Sequence, residues 1–225
     1  FNKTDSPGCV VVVVQNGNVV YKKGFGMANL DYDIPITSTS VFDIASVSKQ
    51  FTGMAIAMLV EERKIALTDD IRKYIPSLPD FGKKVTVRNL VDHTSGIRDW
   101  AAMMGYAGRD FEDVSTYEEI LRMAEHQREL NFAPGAEYSY SNAGYTLLAE
   151  IVARVGKQTY PDWMKTNVFD PLGMKSTLFY DDHQRIVKNR AYSFFKANNT
   201  YKKSVLSYAN AGATSLFTTV EDLAQ

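Results

Sequence analysis

A single cysteine leaves no partner for an internal disulfide, and Cys9 lies in an apolar run, so a cysteine-based metal site is not expected either. Charge of either sign is not in excess: 25 basic and 26 acidic residues are mixed along the chain and leave a net −1. No basic stretch offers a nucleic-acid footprint or a polybasic membrane contact. The longest uncharged apolar stretch, residues 50–60, is too short to span a bilayer. Internal repeats and low-complexity tracts are lacking. No leader-like segment opens the chain, which begins at Phe rather than Met; a processed or trimmed product is expected, and export stays open. The 225 residues, 45% hydrophobic, suit one compact unit or two closely packed lobes.

Regular structure is announced unevenly. Residues 9–14 and 19–21 are β-branched runs flanking Asn16-Gly17, a strong hairpin signal, with the second strand continuing to Phe25 or Met27. Residues 28–44 read as a connecting loop. A buried helix is expected over 47–62, with Phe51, Met54, Ala55, Met58 and Leu59 at helical spacing. Shorter helices are expected after Thr68-Asp69-Asp70, over 85–93 through Thr86, and over 116–129. A strong helix then carries Leu147, Leu148, Ile151, Val152 and Val155, with Gly156 as its stop. Another should cover 160–168. Only the N-terminal hairpin stands out as β structure, and a lone hairpin is marginal in water, so a larger sheet is expected. Thr218-Thr219-Val220-Glu221 has the form of a capping box, four residues from the last residue. Both features suggest a fragment whose remaining strands lie elsewhere.

The chemistry begins at Ser46-Val47-Ser48-Lys49, which puts a serine at a helix start and a lysine one turn later on the same face. A lysine entering an apolar helix is costly to keep charged, and a lysine of lowered pKa beside a hydroxyl can make that hydroxyl nucleophilic. A capping serine and a snorkelling lysine would give the same four letters. In Tyr140-Ser141-Asn142, alternate residues of an extended segment point the same way. A phenol there can relay a proton, and an asparagine amide can hold a substrate carbonyl and touch the lysine; Asn142 can also be a helix N-cap. His93 invites a Ser-His-Asp reading with Asp92 or Asp99. No Gly-x-Ser-x-Gly elbow exists, however, and Ser95 is too close in sequence, so a structural histidine is favoured. Asp181-Asp182-His183 is favoured as a solvated turn over a metal site. Trp100, Met103, Met104 and Tyr106 are candidates for an apolar cleft wall.

Together the two motifs, in this order, resemble those of the serine β-lactamase and penicillin-binding-protein superfamily. The Tyr-Ser-Asn form resembles that of class C β-lactamases, their D-alanyl-D-alanine peptidase relatives and the β-lactamase-like esterases. The stretch from Gly8 to Gly26, Asp92-His93-Thr94-Ser95-Gly96-Ile97, Phe169-Asp170-Pro171-Leu172-Gly173-Met174 and Gly212 to Leu223 resemble further landmarks of that family. The resemblance implies an α/β (α+β) fold, an antiparallel sheet flanked by helices with an inserted helical lobe. Residues 1–64 would hold the hairpin and nucleophile helix, 65–175 the mostly helical lobe, and 176–225 a return segment. It implies Ser46 as nucleophile, Lys49 and Tyr140 as its activating groups, and Asn142 as substrate-orienting. A small ester, amide, β-lactam or D-amino-acid peptide would be the substrate, without metal or organic cofactor. The family's third motif, Lys-Thr-Gly or a His/Trp-x-Gly variant, has no counterpart after Asn142. An exported, periplasmic setting suits the resemblance, and a cytoplasmic one is not excluded. A member that keeps the fold without turnover, or an inactive fragment, is the competing reading.

Overall fold

The Asn16-Gly17 pair turns the chain back on itself because both residues take positive φ, 51° and 74°, as a two-residue hairpin turn needs. The computed structural model, which describes residues 4–207 and 209–225, places β1 at Cys9–Gln15 and β2 at Asn18–Phe25, antiparallel, with an irregularity between Val13 and Val14. Among the described residues no third strand joins this hairpin, and Val11, Val13, Val19 and Val20 remain exposed. The stretch read as a loop contains three short strands: β3 (Met27–Asn29) pairs with β4 (Ile34–Pro35), and β5 is Phe42–Asp43.

The helix expected from 47 is α1, Ser48–Glu61, entered through a tight turn over Ala45–Val47. Asp70 caps a single 3₁₀ turn, Ile71–Lys73. Thr86 and Asn89 form a reciprocal capping box that opens α2, Val87–Val91. A helix that local sequence does not announce follows: α3, Trp100–Tyr106. α4 covers Tyr117–Glu125, ending before the expected residue 129. Its chain leaves the helix at His126, and Gln127 turns its side chain inward to bond Arg98 N–H and Glu129 O.

The central helix is α5, Asn142–Gly156, which packs against α1, α2, α4 and α6 (Tyr160–Met164). Leu148, Ile151 and Val152 are fully buried in its seam. Gly156 is not the stop expected of it; Lys157 takes the left-handed turn at φ 54°. Gly156 is instead required by packing, since a Cβ there would lie 2.3 Å from the Trp163 ring. α6 runs on through a π-turn, Lys165–Phe169.

Beyond it, β6 (Leu178–Phe179) and β5 flank β9 (Leu216–Thr218) in a three-stranded antiparallel sheet. The expectation of a single hairpin is corrected here. Besides the short β3–β4 pair, β7 (Ser193–Ala197) and β8 (Thr200–Ser204) form a further one, turned by Asn198 and Asn199 at φ 49° and 61°. Its strands carry lysines and serines rather than a β-branched run, and that hides them in the sequence. Thr219, not Thr218, caps the final helix α7, Val220–Leu223, because Thr218 is committed to β9. This mixture of small antiparallel sheets and helices is the fold class expected.

Candidate active site

Ser46 sits where β5 hands the chain to α1. Pairing of Phe42 and Asp43 with Thr218 and Phe217 fixes the approach. Ala45 then takes φ 47°, a left-handed conformation that costs an L-residue roughly 1–2 kcal/mol. Four hydrogen bonds hold it there. Asp43 Oδ1 accepts the Ala45 N–H at 2.8 Å, and Ile44 N–H donates to Leu216 O at 3.0 Å. Buried Ser48 donates to Ala45 O at 2.5 Å and accepts from Leu216 N–H at 3.1 Å. The result is an exposed Ser46 hydroxyl at the head of a helix.

Lys49, one turn on, is only 7% exposed. Its Nζ donates to three oxygens: Ser46 Oγ at 3.2 Å, Asn142 Oδ1 at 2.8 Å and Ala213 O at 2.7 Å. The rings of Tyr140 and Tyr145 lie 4.8 and 5.6 Å from it. Burial lowers the pKa of this amine from the ordinary lysine value, with Tyr140 and Asp99 opposing the shift. Three acceptors match the three protons of an ammonium. If one proton leaves, Asn142 Oδ1 and Ala213 O, neither able to donate, keep the two N–H bonds that remain. The lone pair is then left facing Ser46 Oγ.

From the other side, Tyr140 donates its phenolic proton to the same Ser46 Oγ at 2.8 Å. Its segment is extended up to Ser141, whose Oγ caps α5 by accepting Gly144 N–H at 3.3 Å. The N-cap role considered for Asn142 therefore belongs to its neighbour, and Asn142 is free to reach Lys49. Ser46, Lys49, Tyr140 and Asn142, drawn from two distant segments, are thus linked in one hydrogen-bonded chain, Tyr140–Ser46–Lys49–Asn142.

His93 is adjacent but differently employed. Its ring lies between those of Tyr140 and Tyr145, with centroids at 4.6 and 5.1 Å, and its Nδ1 accepts Ser141 N–H at 3.2 Å. Its carbonyl accepts Ser139 N–H at 2.9 Å. An accepting Nδ1 calls for the neutral ring, and burial, then the Lys49 charge, lowers its pKa. It braces the tyrosine segment rather than contacting Ser46.

Two participants escape sequence reasoning. One is the Ala213 carbonyl, since a backbone acceptor leaves no mark in residue identity. Its segment is fixed by Thr52, which donates to Gly212 O at 2.7 Å and bonds Tyr160 OH at 2.7 Å. The other is Asp99, weighed in the sequence only as a triad acid. Its Oδ1 accepts the Asn142 backbone N–H at 2.6 Å and its Oδ2 faces Asn142 Nδ2 at 3.4 Å.

Of the proposed cleft wall, Trp100 and Met104 are buried in the core. Met103 and Tyr106 line a cavity of about 430 Å³ with Arg98, Asp99, Ala102 and Asn131. Asp182 accepts Gln184 N–H at 2.9 Å within a local turn, and Tyr180 donates to His183 O at 2.6 Å. Among the described residues no group of three or more histidine, cysteine or acidic side chains could hold a metal ion. No helix there is long and apolar enough to cross a membrane.

Comparison with known proteins places this geometry in context. The family model described as Beta-lactamase matches residues 2–225. Penicillin-binding protein 4* of Bacillus subtilis is 33% identical over 172 residues, 76% of this chain and 38% of that protein. Protein flp of Staphylococcus aureus strain N315 is 30% identical over 219 residues, 95% of this chain and 40% of that protein. The chain therefore spans about two fifths of the length of these curated relatives. A solved octameric penicillin-binding protein homologue from Pyrococcus abyssi superposes with a TM-score of 0.85 at 31% identity, covering 98% of this chain and 51% of that one. The D-amino acid amidase of Ochrobactrum anthropi shares the fold at 22% identity, with a TM-score of 0.79 over 95% of this chain and 63% of its own.

Proposed function

This chain belongs to the beta-lactamase family, and from that premise we propose that it carries the acyl-transfer machinery of a serine hydrolase. The observation that carries the reading is that two proton-handling groups meet one hydroxyl: Lys49 Nζ at 3.2 Å and Tyr140 OH at 2.8 Å from Ser46 Oγ. In its neutral form Lys49 takes the Ser46 proton as the Oγ–carbonyl carbon bond forms. The Ser46 backbone N–H, at the head of the turn leading into α1, is assigned to the developing oxyanion. Tyr140 then delivers its proton to the departing nitrogen or oxygen as the carbonyl–leaving-group bond breaks, and recovers one from the Lys49 ammonium. Water entering by the reverse of this route releases the acyl group. Asn142, holding Lys49 through Oδ1, orients both the amine and the substrate carbonyl side. Base assistance of this kind is worth about 10²–10⁴-fold.

The substrate is a small ester, an amide or a D-amino-acid peptide, with an esterase or peptidase preferred over a dedicated β-lactamase. A relative named as a penicillin-binding protein supports an acyl donor of that kind. The test is covalent labelling of the full-length protein with a fluorophosphonate or a fluorescent penicillin, followed by peptide mapping. A label on Ser46 that Ser46→Ala abolishes is the expected result. No label, or one that persists in the alanine variant, would favour a binding module that keeps the fold without turnover. Comparing ester with D-Ala-D-Ala peptide turnover then separates the enzyme classes.

A further inference from the structure

Asp99 occupies the N-cap position of α3, yet its side chain makes no capping hydrogen bond. An aspartate there ordinarily accepts an N–H of its own helix, a contact worth about 1 kcal/mol. This one forgoes the cap and turns to the first residue of α5. One carboxylate oxygen takes the Asn142 backbone N–H at 2.6 Å, and the other stands 3.4 Å from Asn142 Nδ2. A carboxylate only accepts, so the side of the Asn142 amide that faces it must be the NH₂. The opposite side, Oδ1, is thereby fixed toward Lys49, where it lies 2.8 Å from Nζ.

We propose that Asp99 is a positioning residue whose carboxylate sets the polarity of the Asn142 amide and, through it, the direction of the Lys49 lone pair. This rests on the hydrolase reading above. The consequence follows from donor counting. With Oδ1 toward Lys49, a neutral amine must donate to Asn142 and to Ala213 O, leaving its lone pair for Ser46. With the amide reversed, Nδ2 would donate to the amine, the lone pair would be spent on Asn142, and an N–H would face the nucleophile instead. The base would remain in place with its basic orbital pointing the wrong way.

Asp99→Asn tests this with almost no change in shape. The introduced amide can still accept the Asn142 backbone N–H through its oxygen, but its NH₂ then confronts Asn142 Nδ2 and forces that side chain to turn over. The full-length protein should keep its melting temperature within a few degrees and still bind a competitive ligand. The rate at which a fluorophosphonate phosphonylates Ser46 at neutral pH, with loss of fluoride, should fall by about 10-fold or more, a part of the ~10²–10⁴-fold that general-base assistance supplies. Asp99→Asn/Asn142→Asp restores an acceptor facing Lys49, now charged. Its labelling should return at alkaline pH while staying low at neutral pH, because a carboxylate against Lys49 raises the pH at which the amine becomes free. The double variant carries the test if Asp99→Asn alone does not fold.

The outcomes are separable. Wild-type protein that does not label at Ser46 sinks the hydrolase reading and this inference with it. Wild-type labelling together with an unchanged rate and pH profile in Asp99→Asn overturns the inference and leaves the hydrolase reading standing. So does a folded double variant that labels at Ser46 no faster at alkaline than at neutral pH.

Discussion

At the scale of single residues, the site depends on which protons are present. His93 accepts a backbone N–H from Ser141, and its pKa is lowered by burial and by Lys49. The unfolded chain therefore takes up the proton first as pH falls through the ordinary histidine value of about 6.5. Stability from this group is complete above that pH and declines below it until the folded imidazole titrates as well. His93→Gln is uncharged and can still accept the Ser141 N–H. Its melting temperature should fall less between about pH 7.5 and 5.5, either side of the free histidine value, than that of the wild type; equal falls would remove His93 from the account. Tyr140→Phe should leave the melt nearly unchanged and slow acylation by about 10²–10⁴-fold. Ser46, Lys49, Tyr140 and Asn142 were legible in the sequence because their chemistry is written in side-chain type and short spacing. Asp99 was not: the sequence offers it only as a triad acid beside His93, and only the fold shows that its oxygens bond Asn142. A carbonyl such as that of Ala213 has no signature at all.

At the scale of elements, α5 is both core and site. Its buried face joins the helices, and its first turn presents Asn142. Truncating a fully buried member, Leu148→Ala, should cost about 2–5 kcal/mol by urea unfolding, and a much smaller loss would mean the seam repacks freely. The segment opposite it is under tighter constraint. Gly212 has φ 104°, and a Cβ there would stand 2.5 Å from Ala149 Cβ and 2.9 Å from Tyr145 O. Gly212→Ala should push this segment off α5, carry Ala213 O away from Lys49 and slow acylation in a protein that still folds. A folded alanine variant with wild-type rates would show that the carbonyl is dispensable. The long helices and the Asn16-Gly17 hairpin were readable from periodicity and turn chemistry. β5, β6 and β9, at two or three residues each, are too short to show any period, although they place the nucleophile. α3 leaves no periodic mark for a related reason: Trp100 and Met104 face the core over barely two turns.

At the scale of the whole molecule, the two ends of the chain are joined by contacts of unequal weight. The Lys22–Glu221 ion pair at 2.5 Å joins the first hairpin to α7, but both partners are well exposed and solvent screens such a pair, so it contributes little. The β5–β9 pairing and the Ser48–Leu216 bond do more, because they tie the nucleophile turn to a strand 168 residues further along the chain. The central claim, that a buried amine of lowered pKa activates Ser46, is tested most directly by the single-turnover acylation rate of the full-length protein as a function of pH. The account predicts a rate that rises through one ionisation below that of an ordinary lysine, and in Lys49→Met the loss of both that inflection and most of the rate. An unchanged profile in Lys49→Met would contradict it.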